Sequence, residues 1–120
     1  MPNQKLVNAY LQSFYSGNFG EAETVVSDDF HFKGPFVEAG TKEAFFLSAA
    51  RLAPIVRGHK LLRQWADGDD VCSIFELRLE TPVGAGSVEM SEWHTMRNGK
   101  LAAGRLLFDS SAFRALVHPR

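Results

Sequence analysis

A single cysteine, Cys72, in 120 residues leaves no partner for an intramolecular disulfide and no Cys-rich zinc site, a usage that suits a reducing compartment. Neither sign of charge is in excess: 13 Lys and Arg face 14 Asp and Glu, for a net charge of −1. The basic stripe that a nucleic-acid binder needs is therefore missing, and no nucleic-acid partner is expected. Nowhere do ~18 apolar residues run together, and Met1-Pro2-Asn3-Gln4-Lys5 holds no signal-peptide core, so the expectation is a cytoplasmic chain with no membrane partner. Gly-rich phosphate loops, a nucleophile elbow and paired Cys-His signals are all lacking, and no cofactor is expected. His31, His59 and His118 have no neighbours at ligand spacing, and Glu92 with His94 lacks a third ligand, so no metal is expected either. With no repeat, low-complexity tract or linker, the chain reads as one domain over residues 1–120.

What the chain has is apolar bulk. Hydrophobic residues make up 45%, with ten Phe and two Trp, which predicts a bulky core or an aromatic-lined cavity. The stretch from Val88 to Met96 alternates, placing Val88, Met90, Glu92, His94 and Met96 on one face of a strand and Ser91, Trp93 and Thr95 on the other. A face that is apolar at both ends and ionisable in the middle is a poor core but a plausible pocket wall. Asn98-Gly99 folds this strand back, and a return strand runs from Lys100 to Phe108, ending where Asp109 caps a last helix.

Upstream, Asn3 is expected to cap a helix carrying Leu6, Val7, Tyr10, Leu11 and Phe14, closed at Gly17. Asn18 and Glu21 have capping-box spacing for a second, short helix, ended by Asp28-Asp29. Phe30 to Lys33 reads as a strand with both Phe inward, and Thr41 caps a third helix through Phe45, Phe46, Ala49, Ala50 and Leu52. From His59 the period changes to two, with breaks at 67–69 and 82–84. The class is α+β: a curved antiparallel sheet with helices packed on one face, three of them N-terminal and a short one C-terminal.

Tyr10 to Phe19, Ser27-Asp28-Asp29-Phe30, Gly40-Thr41-Lys42-Glu43-Ala44, and Asn98-Gly99-Lys100 followed by Asp109 occur here in an order that resembles the nuclear-transport-factor-two-like superfamily. That superfamily includes ketosteroid isomerases, SnoaL-like polyketide cyclases and limonene-epoxide hydrolases, and the resemblance spans about residues 4 to 116. It implies a single SnoaL-like domain whose curved sheet is cone-shaped around an internal cavity. It also implies an oxyanion hole at Tyr10 and Glu92, but the family's base positions fall on Gly34 and Leu106, which cannot take a proton. The epoxide hydrolases' Arg-x-Asp pair falls on Met90 and Glu92.

Three functions follow as expectations. The first is a cofactor-free isomerase, cyclase or dehydratase acting on an apolar carbonyl compound, with Tyr10, Glu92 and His94 as catalytic residues and His94 as the remaining base. The second is a protein that binds a small apolar molecule without turning it over, its ligand lined by Phe14, Phe32, Phe75, Met90, Met96 and Leu106. The third is a non-catalytic homodimeric interaction module, its cavity filled by Phe and Met. The resemblance implies a homodimer through the outer sheet face around Trp93 in all three.

Overall fold

The computed structural model describes residues 2–117. Helix α1 (Pro2–Tyr15) and the short α2 (Phe19–Glu23) lead into strand β1 (Val26–Lys33) and the two-residue β2 (Glu38–Ala39). Helix α3 (Lys42–Leu52) and a 3-10 turn (Ala53–Ile55) then precede β3 (Val56–Asp67), β4 (Asp70–Thr81), β5 (Gly84–Arg97) and β6 (Lys100–Phe108), and α4 (Ser110–Val117) follows.

Local chemistry sets most of these boundaries. Asn18 accepts from the Glu21 amide and donates from Nδ2 to its carboxylate at 2.8 Å, a reciprocal cap. The Thr41 hydroxyl accepts from the Ala44 amide at the head of α3. At α4, Asp109 Oδ1 accepts from the Ser111 amide at 2.9 Å, which makes Asp109 a cap. Two expectations fail. Asn3 lies inside α1, which starts at Pro2, and its amide reaches across to the Gly68 carbonyl instead of capping. Asp28 and Asp29 do not end a helix but belong to β1, where Asp29 holds Arg97 at 2.6 Å.

The six strands form one curved sheet in the order β2-β1-β6-β5-β4-β3. The four-strand meander β3 to β6 is antiparallel throughout, and β1 is joined to it by a parallel pairing with β6. That pairing makes the sheet mixed. It brings together residues more than seventy apart, such as Phe32 and Gly104, so no local pattern announces it. The same holds for β2, too short to carry a period.

At the Asn98-Gly99 turn both residues have positive φ, 53° and 75°, the left-handed geometry of a type I′ hairpin. In β5 the alternation holds from Val88 to Met96: Val88, Met90, Glu92, His94 and Met96 are all buried, while Trp93 is exposed. Helix α1 packs against β3 and β4, and α3 against β1 and β2, so the concave face is covered from two sides. Tyr10, Leu11, Phe30, Phe75, Leu77, Leu79 and Leu101 are among the fully buried residues of the core.

Candidate functional site

Glu92 sits near the middle of β5 on its inward face, opposite Ser73 of β4 and Leu106 of β6, and is 1% exposed. A carboxyl so buried needs partners. Tyr15, the last residue of α1, donates its hydroxyl to Glu92 Oε1 at 3.3 Å. His94, two residues along the same face, brings Nε2 to 3.3 Å from Oε2. The distance is that of an ion pair, but the angle is not that of a hydrogen bond, and neither imidazole nitrogen has an aligned partner among the described residues.

Tyr10 lies behind this pair. Its ring stacks on Phe14 at 5.3 Å and meets the edge of His94 at 5.2 Å, and its hydroxyl is buried with no partner among the described residues. Burial and then the nearby Glu92 carboxylate push both phenols well above the ordinary tyrosine value, because a second negative charge in a dry interior is unfavourable. Tyr15 also lies against Phe75 and His59. The half-buried imidazole of His59 is pulled below its usual value by desolvation, against the upward pull of Glu92.

Next to Tyr15 and Glu92 is a cavity of about 560 Å³. Its walls come from α1, α3, the inner sheet face, the 34–37 loop and α4. Of the residues expected on that wall, Phe14, Phe32, Met90 and Leu106 line it. Phe75 and Met96 do not. Phe75 lies under the Tyr15 ring and beside His59, so α1 seals it from the space. Met96 pairs with Leu101 beside the hairpin turn and is absorbed into the core.

Tyr10 and His94, expected as catalytic groups, are completely buried and absent from the wall, so neither can touch a molecule in the cavity. The residue that sequence reasoning missed is Tyr15. It lies four residues after Leu11 and eight after Val7, on the second edge of the α1 stripe, and that spacing was its signal.

Gly34 and Leu106 both line the cavity and adjoin: a Cβ built on Gly34 would stand 3.5 Å from Leu106 Cβ. The wall at these two positions carries no side chain that can take a proton. A second hollow of about 450 Å³ shares Phe14, Tyr15, Ala49 and Leu52 with the first and adds Gln12, Ser16, Arg57 and His59. Arg57 is committed there to Glu80 at 3.1 Å and to the Pro54 and Val56 carbonyls. Among the described residues no three His, Cys, Asp or Glu side chains gather as metal ligands, and no helix is long and apolar enough to cross a membrane. His118 lies outside the described residues.

Cone-like sheet, covering helices and inner cavity together match many solved structures. An NTF2-like protein of unknown function from Burkholderia pseudomallei superposes with a TM-score of 0.86 over 98% of both chains, at 11% identity. The chain has the NTF2-like fold. An LEH-like epoxide hydrolase from M. tuberculosis shares this NTF2-like architecture with a TM-score of 0.81 at 19% identity, covering 98% of this chain and 91% of the other. A protein with a ketosteroid isomerase-like fold from Catenulispora acidiphila, in complex with trimethylamine, gives 0.75 at 13% identity over 84% and 82%. No family model and no curated protein matches the sequence. At these identities the likeness is one of fold, and NTF2-like folds host unrelated chemistries.

Proposed function

We propose that the chain binds a small apolar molecule carrying one oxygen function, with the apolar body in the cavity and the oxygen at Tyr15 and Glu92. One observation carries this reading: a space of about 560 Å³, within the usual range for ligand sites, is walled by hydrocarbon except for a few polar ends, and one of these is a buried carboxyl already hydrogen-bonded by a tyrosine. Small polar groups in an apolar pocket orient a ligand because each must be satisfied when water leaves. A space of this size argues against the filled-cavity reading. Fold neighbours that bind trimethylamine or hydrolyse epoxides, by their names, are compatible with a small-molecule site here.

Isomerase, cyclase or dehydratase chemistry on a carbonyl compound is the extension of this reading. Glu92 is then the one group that can both touch the ligand and exchange a proton, with Tyr15 polarising the oxygen and His94 and Tyr10 acting only through Glu92. With no titratable side chain at Gly34 or Leu106, binding without turnover is the reading we favour.

A homodimer through the outer sheet face is a compatible second element. Trp65, Cys72, Trp93 and Arg105 form one cross-strand row on that face, with both indoles about half exposed and Leu107 exposed on the neighbouring row. Light scattering during gel filtration should return twice the chain mass, and a monomer at working concentration would contradict it.

The test of the ligand reading is a thermal-shift screen against apolar ketones, steroids, terpenoid epoxides and aromatic polyketide mimics, beside Tyr15→Phe and Glu92→Gln. A ligand at a hundred times its Kd stabilises the folded state by roughly 2.7 kcal/mol. A shift that shrinks in both variants supports the reading. Shifts indifferent to both substitutions, or none across the panel, contradict it.

A further inference from the structure

Among the described residues that line the main cavity there is one carboxyl and one guanidinium, the first buried and the second exposed. Glu92 is buried on β5, and Arg51 is exposed on α3. Helix spacing puts Arg51 there: it follows Ser48 by three residues and precedes Leu52, both of which line the same space.

Four of the chain's other arginines are held by the protein, whereas Arg78 and Arg105, like Arg51, have no such partner among the described residues but do not line this cavity. Arg57 is tied to Glu80 and two carbonyls, Arg97 to Asp29, Arg63 lies over Trp65, and Arg114 lies over Phe36 at 5.1 Å. Arg51 makes no ion pair, hydrogen bond or ring contact among the described residues, and of their carboxyls only the buried Glu92 lines the cavity. Phe36 itself lines the cavity, whereas Arg114, which lies over its ring, does not.

This polarity sorts ligands by charge and by direction. An anionic group driven inward would lose its water and meet the Glu92 carboxyl in a low dielectric, whereas at the rim it stays hydrated and finds a guanidinium whose planar fork suits an oxyanion. We propose that the cavity takes amphipathic acids, molecules whose apolar body carries the oxygen function to Tyr15 and Glu92 and which bear in addition, at the other end, an anionic group that rests on Arg51. The proposal rests on reading the cavity as a ligand site and names the class of ligand.

The experiment is a fluorescence titration of the full chain with two dyes of one ring system, anilinonaphthalene sulfonate and the uncharged phenylnaphthylamine. It compares the native protein with Arg51→Met, which keeps an apolar stem, Arg51→Lys, which keeps the charge, and Ala49→Trp, which puts an indole into the space. The expected result is a roughly three- to tenfold weaker sulfonate affinity in Arg51→Met, partial recovery in Arg51→Lys, and neutral-dye affinity unchanged within about twofold. Added salt should weaken the sulfonate alone. Equal affinities in native and Arg51→Met protein, or an equal loss for both dyes, overturn the proposal and leave the cavity reading standing. Dye emission that Ala49→Trp does not reduce places both dyes on the surface and overturns the cavity reading together with the proposal.

Discussion

Tyr10 and Tyr15 are the only tyrosines in the chain, both are buried, and they differ in one respect: the Tyr15 hydroxyl has an acceptor and the Tyr10 hydroxyl has none among the described residues. Removing a satisfied buried hydroxyl loses a hydrogen bond and strands its acceptor, whereas removing an unpaired one relieves a desolvation cost. Tyr15→Phe should therefore destabilise the protein by about 1 kcal/mol in a denaturant titration, and Tyr10→Phe should be neutral or stabilising. The same two phenols set the alkaline limit. Their folded-state pKa values lie above the unfolded value of 10.0, so the folded state keeps protons that the unfolded chain releases. Stability is full below about pH 10 and falls as the pH rises through the folded values. Phenolate absorbance should accordingly rise only with unfolding, in step with the loss of far-ultraviolet ellipticity. A phenol titrating before the ellipticity changes would mean that one ring is in water.

At the scale of elements, β5 and β6 carry both the site and the tightest packing. Gly104 on β6 pairs with His94 across the strands, and a Cβ there would come within 3.1 Å of both Phe30 and Phe32 and 3.4 Å of His94. Gly104→Ala must push two core rings apart, and we expect a loss of about 1–3 kcal/mol by thermal or chemical denaturation. A neutral substitution would show that these rings are free to move.

The hairpin was legible in the sequence because everything that defines it is local: alternation from Val88 to Met96, a turn at Asn98-Gly99 and a cap at Asp109. The helix caps at Asn18 and Thr41 were legible for the same reason. Assigning the site's tyrosine was harder. Tyr10 and Tyr15 both face the sheet, and which of them reaches Glu92 depends on where α1 crosses β4, a long-range fact with no signature in the helix itself. The same dependence explains Phe75, an inward residue that meets Tyr15 instead of open space. The parallel pairing of β1 with β6 is likewise long-range and was not foreseen.

Over the whole molecule, the cavity is a consequence of how few elements cover a long sheet. α1 lies over β3 and β4, α3 over β1 and β2, and α4 on β4 and β5, leaving between them a space that side chains of the inner face only partly fill. Glu92 is buried in its wall because the period-two pattern of β5 turns every second residue that way, whatever its polarity. A carboxyl in that position is expensive for a structure that does not use it, which ties the fold's architecture to the ligand reading. Two methionines give a direct readout of where a ligand goes, because Met90 lines the cavity and Met96, six residues on along the same face, is sealed in the core. The decisive measurement is a methyl-methionine NMR titration with tetralone, a small apolar ketone. The account predicts a saturable shift of the Met90 methyl with Met96 unmoved, weakened in Glu92→Gln. A Met90 methyl that does not move, or shifts of Met90 and Met96 alike, would contradict it.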